Sequence, residues 1–341
     1  MAKAKKNQKA VKNSLQLTMQ AITKKFGEGV LSYLGDHEDL VIDAVSTGSL
    51  ALDVALGTGG FARGRMYEIF GPNSGGKSTL ALMTIMQGLK RDMTVVYIDA
   101  EHALDPKLVK RMAEASSVNA DKMILCQAFT GDDNLEAAEH LMKTGEVDIL
   151  VVDSVSSLLP KSMAEGEIGD NYIGLLARLM SKACLKLIPV ANATNTLLIF
   201  INQIRHDIGK WGDDRVTTGG EALGFYTTGR IKVEGGEAAK SRIVDSDGIP
   251  IGHVCSFEVI KNKLAPPWRK AHMNLIYGVG YDSTAETLSL AADLGVIEQA
   301  GAWFTYKDEK INGRENLATY FKEHDDDYKE VRKAVKEAVG L

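Results

Sequence analysis

This sequence offers little material for cross-links, membrane spans or metal clusters. Its 341 residues include only three cysteines, Cys126, Cys184 and Cys255, an odd number, widely spaced and in apolar surroundings. That pattern argues against a disulfide framework and for a reduced, cytoplasmic protein with structural thiols. No apolar run approaches the roughly 18 residues a membrane span needs. The longest candidate, Leu197 to Ile201, has the length of a strand. The lysine-rich N-terminus lacks the apolar segment and cleavage site of a secretory signal. None of the seven histidines stands at metal-ligand spacing with another His or with Cys. Basic excess is missing too: a formal net charge of -5 argues against a generally basic nucleic-acid coat. A local DNA site stays open, because counterion release depends on charges near the phosphates.

What is present is ordinary globular composition, 45% hydrophobic and 25% charged, enough for one large core with smaller appendages. Lys3, Lys5, Lys6, Lys9 and Lys12 occupy a tail with no acidic residue before Glu28. Leu15, Met19, Ile22 and Phe26 then follow at helical spacing. Two readings stay open here, a helix docked on its own core and an arm docked on a neighbouring subunit. From Arg65 short apolar strands, 66–71, 94–100, 123–128, 148–154 and 197–203, alternate with helical stretches, 77–90, 105–116, 132–143 and 172–188. Near-continuous apolar strands between helices imply a mostly parallel sheet covered on both faces. Further strands are expected at about 225–234, 253–262 and 272–277. From Ser283 the chain reads as helical and mixed in charge, a small C-terminal domain.

GPNSGGKS, residues 71–78, fits the phosphate-loop pattern, directly after a strand and opening a helix. Gly71, Pro72, Asn73, Ser74, Gly75 and Gly76 supply a turn whose backbone N–H groups can face an anion. Lys77 can reach the β- and γ-phosphates of ATP, Ser78 can hold Mg²⁺, and Thr79 can contact an α-phosphate. DILVVDS ends its apolar run on Asp153, a carboxylate at a buried strand tip that needs a cation or donors. A Walker B role with Mg²⁺ and a capping role for the next segment are the two uses of Asp153. Beyond TVVYID, a cluster of Asp99, Glu101, His102 and Asp105 precedes Pro106. Helix capping explains Asp105, which also counts among the candidate nucleotide contacts. If this strand neighbours the phosphate-loop strand, Glu101 can polarise a water in line with the γ-phosphate. LLIFINQ, residues 197–203, carries two amides, Asn202 and Gln203, to a strand tip before a polar, glycine-bearing loop with Trp211.

From about Leu15 to Tyr306 the chain closely resembles the bacterial RecA recombinase family. The strings that carry the likeness are STGSLALDVALGTGG (46–60), GPNSGGKST (71–79), YIDAEHALDP (97–106), VVDSVSSLLPK (151–161), EGEIGD (165–170), TLLIFINQIR (196–205), TTGGEAL (217–223) and VIKNKLAPP (259–267). The resemblance implies a RecA-like phosphate-loop ATPase core of the α/β class, with a mostly parallel twisted sheet flanked by helices. It also implies an N-terminal polymerisation helix and a small C-terminal α/β domain, with boundaries at 1–38, 39–282 and 283–341. The implied function is ATP-dependent recombination and repair: filaments on single-stranded DNA, pairing with duplex DNA and strand exchange. Loading factors and a self-cleaving repressor are further implied partners.

By the same carry-over Glu101 is the catalytic base and Gln203 senses the γ-phosphate. Lys261 and Lys263 of the KNK string act on ATP held by the adjacent subunit, although alone they read as ordinary surface lysines. Tyr277 and Gly278 fall at the adenine. About Glu165 to Ile173 and Ile204 to Thr218 are the two DNA loops (about 164–173 and 204–218). Glu165, Gly166, Arg178, Arg205, Trp211, Thr217, Thr218, Gly219 and Gly220 are their DNA contacts. The stretch carrying Asn202 and Gln203 then reads as a hinge between nucleotide state and DNA grip. Three departures stand out: Leu108 replaces an adenine-stacking tyrosine, the second loop is one residue shorter, and a long acidic C-terminal tail is absent. Trp211 can wedge between bases, stack on them or anchor the loop on its own subunit. Charge gives DNA binding little independent support, since Arg205, Lys210 and Arg215 are balanced by Asp207, Asp213 and Asp214. A hexameric motor and a filament using ATP only as interface glue are the rivals; EGEIGD and TTGGEAL speak against the first, Glu101 against the second. A small-molecule kinase lacks an evident acceptor lid.

Overall fold

The computed structural model describes residues 2–27, 30–33, 35, 42–167, 174–206, 215–235 and 241–340. The chain divides into two compact units, Met1–Ile42 and Asp43–Leu341. The first holds α1 (Ala2–Phe26), which ends on Lys24 and Lys25, charges that suit the negative end of a helix dipole. Within this unit the Tyr33 hydroxyl donates to Met19 Sδ at 3.6 Å.

The second unit opens with β1 (Ala44–Val45), α2 (Leu50–Leu56) and β2 (Phe61–Ala62). A large sheet follows, built from β3 (Met66–Gly71), β4 (Val95–Asp99), β5 (Ile124–Cys126), β6 (Ile149–Asp153) and β7 (Leu197–His206). It continues with β8 (Arg215–Thr217), β9 (Gly229–Gly235), β10 (Arg242–Val244), β11 (Pro250–Asn262), β12 (Arg269–Ile276) and β13 (Gly280–Tyr281). Its main path runs β13-β12-β11-β9-β3-β7-β6-β4-β5, with β10 on β11 and β8 on β7. From β9 to β5 every neighbouring pair is parallel, and from β9 outward to β13 the pairs are antiparallel. The connecting helices are α3 (Lys77–Leu89), α4 (Pro106–Ala115), α5 (Gly131–Lys143), α6 (Lys161–Ala164), α7 (Leu175–Ala193) and α8 (Ala222–Tyr226).

The alternation of β7 shows why its run is continuously apolar. Leu197, Ile199 and Ile201 join the core under α3, whereas Leu198 and Phe200 join the opposite core under α7. A strand covered on both faces has no polar side to display. The strand expected from residue 225 starts later. Phe225 and Tyr226 close α8, which buries Leu223, and β9 begins at Gly229, where a Cβ would meet the Tyr67 ring at 2.8 Å.

The C-terminal part is less purely helical than its composition reads. Between α9 (Ser283–Asp293) and the pair α10 (Arg314–Glu323) and α11 (Asp325–Ala338) lies a small antiparallel sheet, β14 (Glu298–Ala300), β15 (Trp303–Tyr306) and β16 (Glu309–Asn312). These strands are short and mostly exposed, so they carry no clear period of two. Leu288, Phe304, Phe321, Val331 and Val335 form a third core that also takes Leu50 of α2. The buried Glu286 of α9 caps α2 from across this junction. It accepts from the Leu50 N–H at 2.9 Å, the Ala51 N–H at 3.2 Å and the Ser49 hydroxyl.

Candidate active site and DNA-facing surface

Gly71 ends β3 with Val233 of β9 pressed against it, where only a hydrogen fits: a Cβ would lie 2.1 Å from the Val233 carbonyl oxygen. The turn then reverses through Ser74 at φ 59° and Gly76 at φ 99°, and Gly76 is the N-cap of α3. No side chain caps this helix, so the N–H groups of its first turn face outward as anion donors. Cys255 and Leu275, from β11 and β12, support the turn from below, 3.2 and 2.9 Å from where a Cβ on Gly76 would be.

Lys77 is buried, and its ammonium donates to the Pro72 carbonyl at 2.6 Å. Burial pulls its pKa below the usual lysine value, while Asp153 and Glu101 pull it back up. A poorly solvated ammonium gains more from an incoming phosphate than an exposed one would. Ser78 donates its hydroxyl to Asp153 Oδ2 at 2.7 Å, and Tyr97 donates to the same oxygen at 2.5 Å. Burial pushes the Asp153 carboxyl above its usual range, with the two hydroxyls acting in the opposite direction. Ser78 and Asp153 thus present oxygen donors side by side, a set that fits a hard divalent cation. Among the described residues there is no cluster of three or more His, Cys, Asp or Glu able to hold a metal alone.

The condition attached to Glu101 is not met as stated: β4 lies beside β6 and β5, and β3 lies beside β7 and β9. The carboxylate still arrives at the site by another route. Glu101 Oε1 accepts from Gln203 Nε2 at 3.0 Å, and Gln203 stands in register with Gly71 across the β3–β7 pair. Ser154 donates to the same oxygen at 2.5 Å. The companion acids have other partners. Asp99 accepts from Ala103 N, Leu104 N and Gln127 Nε2, and Asp105 is the N-cap of α4, accepting from Lys107 N at 2.8 Å. Tyr277 is half exposed, and its hydroxyl lies 3.1 Å from the ring Nδ1 of the buried His253. Gly278 faces the Arg111 guanidinium, and Leu108 packs on the core beneath α4.

Lys261 lies at the far end of β11 and Lys263 just beyond it. Six residues along a strand separate Lys261 from Cys255 under the phosphate loop, about 20 Å. Lys261 Nζ donates to the carbonyls of Gly224 at 2.6 Å and Phe225 at 2.9 Å, and Lys263 is exposed. The roots of the two expected DNA loops come together. Pro160, Met163 and Gly174 line one open depression of about 460 Å³ with Arg205, Thr218, Gly219 and Gly220. Gly219 and Gly220, at φ 81° and 72°, lie so close on Val155 and Ala177 that a Cβ would stand 2.8 Å from each. Glu165, Gly166 and Arg178 are exposed on the same rim segments. Residues 168–173 of the first loop and 207–214 of the second, including Trp211, are outside the described residues.

Four site neighbours escaped the sequence reading: Tyr97, Ser154, Glu68 and Arg230. Glu68 is wholly buried in β3, and a carboxylate inside MYEIFG was the available signal. It is paired with Arg230 Nε at 2.5 Å and accepts from Asn202 Nδ2 at 2.8 Å.

Comparison with known proteins agrees with this architecture. Residues 13–282 match the RecA N-terminal domain and residues 285–340 the RecA C-terminal domain. A curated protein of Listeria monocytogenes, Protein RecA, is 45% identical over 327 residues, covering 95% of this chain and 91% of that protein. Protein RecA of Lactobacillus acidophilus is 43% identical over 332 residues, covering 97% and 89%. The crystal structure of the RadB recombinase superposes with a TM-score of 0.53 at 25% identity, over 70% of this chain and 98% of that one. With both domain families matched in order and relatives aligned over nearly its whole length, the chain belongs to the RecA family.

Proposed function

We propose that the protein is a DNA-dependent ATPase recombinase: it forms filaments on single-stranded DNA, pairs them with homologous duplex and exchanges strands. Recombinational repair and the response to DNA damage are its setting, and the cytoplasm its location. Among the described residues no helix is long and apolar enough to cross a membrane. The chain is organised as an oligomerisation arm (1–38), an ATPase core (39–282) and a C-terminal domain (283–341).

In this reading the backbone of Gly71 to Gly76 and the Lys77 ammonium hold the phosphates of ATP, with Thr79 at the α-phosphate and Tyr277 and Gly278 at the adenine. Ser78 and Asp153 would hold Mg²⁺, which when bound neutralises charge on the β- and γ-phosphates. Glu101 orients the attacking water and takes its proton, and Ser154 and Gln203 fix the carboxylate that does so. Lys261 and Lys263 serve the nucleotide of the adjacent subunit, since some 20 Å of strand separates them from their own. Thr217 to Gly220, Arg205, Arg178, Glu165 and Gly166 flank the DNA path, with loading factors and a self-cleaving repressor as further partners.

One observation carries the reading: Gln203, which donates to Glu101 at 3.0 Å, belongs to the strand that runs on into the second loop. A chemical change at the γ-phosphate and a grip on DNA are thereby two ends of one element. The test is phosphate release with and without single-stranded DNA, together with electron microscopy of the protein on DNA with an ATP analogue and Mg²⁺. DNA-stimulated release and regular filaments are expected, and Lys77→Ala is expected to lose both. Hydrolysis indifferent to DNA, or full activity in Lys77→Ala, defeats the assignment.

A further inference from the structure

Gln203 is one of two amides inside β7, which runs on to His206 rather than ending at residue 203 as expected; the other, Asn202, turns to the opposite face and is fully buried. Its carboxamide is saturated. Nδ2 donates to Glu68 Oε1 at 2.8 Å and to the Thr218 carbonyl at 2.9 Å. Oδ1 accepts from the Thr218 hydroxyl and, at 2.9 Å, from the Gln203 N–H. Both donors and both acceptor positions of one side chain are therefore committed. Glu68 completes the cluster on β3, the strand that delivers the phosphate loop, and Arg230 on β9 completes it from the other side. The Arg230 guanidinium donates to Glu68 at 2.5 Å and to the Thr217 hydroxyl at 3.3 Å, and lies 4.6 Å over the Phe70 ring.

We propose that Asn202, anchored by Glu68 and Arg230, is a positioning residue that ties the exit of the second DNA loop, Thr217–Thr218, to the stretch of β7 carrying Gln203. The proposal rests on the recombinase reading above and adds the part that Gln203 alone lacks. Gln203 touches the catalytic carboxylate but, among its described hydrogen bonds, does not touch the loop exit. Asn202 does, and successive residues of a strand point to opposite faces, so a shift of one amide displaces the other. A neutral amide suits the position because it can donate to a buried carboxylate and a backbone carbonyl while accepting from a hydroxyl. No aliphatic or acidic side chain of that size does all three. Arg230 also stands in register with Lys261 on β11, so the cluster adjoins the strand carrying the lysines assigned to the neighbouring nucleotide.

Coupling between two binding sites is reciprocal, so the device is readable from either side. The experiment measures ATP hydrolysis with and without single-stranded DNA, separating kcat from KM. It also measures affinity for a labelled oligonucleotide with a non-hydrolysable ATP analogue and with ADP. Asn202→Asp keeps the shape and puts an oxygen against Glu68 and the Thr218 carbonyl. We expect DNA stimulation of hydrolysis, and the preference for DNA in the analogue state, each to fall about tenfold. The DNA-free rate and KM should stay within about twofold of the parent. The double variant Asn202→Asp with Glu68→Gln lets an amide on β3 donate to a carboxylate on β7, and should recover the part of the lost coupling carried by that contact, the Thr218 carbonyl still lacking its donor. Equal losses in the DNA-free rate, KM and stimulation would mark a merely structural role and overturn the proposal. Parent-like stimulation in a folded Asn202→Asp, or a double variant no better than the single one, would overturn it too. A parent protein that ignores DNA would instead refute the recombinase reading itself.

Discussion

Replacing Gly71 with alanine would set a methyl group 2.1 Å from the Val233 carbonyl oxygen and 3.0 Å from its carbon. A carbon–oxygen contact relaxes only near about 3.3 Å, so β3 and β9 would have to part by on the order of 1 Å at the phosphate loop. Both partners are backbone, and no rotamer can absorb the clash. Overpacking of this kind costs about 1–3 kcal/mol of stability. A misplacement of about 1 Å at a catalytic constellation costs about 100-fold in rate. We therefore expect Gly71→Ala to melt a few degrees lower and to lose about 100-fold in kcat/KM for ATP. Gly60→Ala is the matched control: its Cβ would lie the same 2.1 Å from a backbone carbonyl, that of Val45, at φ 144°, beside the β1–β2 pair rather than between β3 and β9. It should lose at least as much stability, because it adds backbone strain, yet hydrolyse ATP at close to the parent rate once folded. Thermal denaturation beside steady-state kinetics separates the two effects. A Gly71→Ala protein with parent kinetics would refute the claim that the β3–β9 approach sets the loop.

Three further outcomes follow from the same geometry. Tyr97→Phe removes a 2.5 Å donor from Asp153 and should raise that carboxyl's pKa further, since the Tyr97 hydroxyl acts against the upward push of burial. Protons would then compete with Mg²⁺, so the Mg²⁺ midpoint for hydrolysis should rise more at acidic than at alkaline pH; equal shifts at both would exclude this cause. Burial pushes Glu286 up to about 7 and Asp53 up to about 6, so between their unfolded and folded values the native state binds the extra proton. Stability should therefore fall as pH rises from about 4 to about 7, by about 3 kcal/mol for each group. Glu286→Gln should roughly halve that slope in a series of melts, and an unchanged slope would remove Glu286 from the account. Gln203→Ala should hydrolyse ATP without a response to DNA, and a parent-like response would count against the switch along β7.

The phosphate loop was legible because its chemistry is local. Glycines at 71, 75 and 76, followed by Lys77 and Ser78, specify a turn and a helix start within eight residues, whatever the rest of the chain does. The parallel sheet was legible for a related reason: runs such as DILVV and LLIFI have no polar face, and only a strand covered on both sides tolerates that. The weaker expectations were those without a period. The strands at 298–300, 303–306 and 309–312 are too short and exposed to show one, and the segment before Gly229 is apolar in either helix or strand.

Strand order was the missing quantity. The sequence by itself determined which residues could do chemistry and roughly where each element lay. It did not say that β4 reaches the site by way of β6 and β7, nor that Glu101 meets Gln203 from 102 residues away. Only the tertiary structure brought Glu68 against Arg230, 162 residues on, and closed Asn202 between Glu68 and Thr218. A turn is decided by the dihedral preferences of a few neighbouring residues. Pairing between distant strands is decided by which arrangement satisfies every buried donor and acceptor together, and that sum is a property of the whole fold.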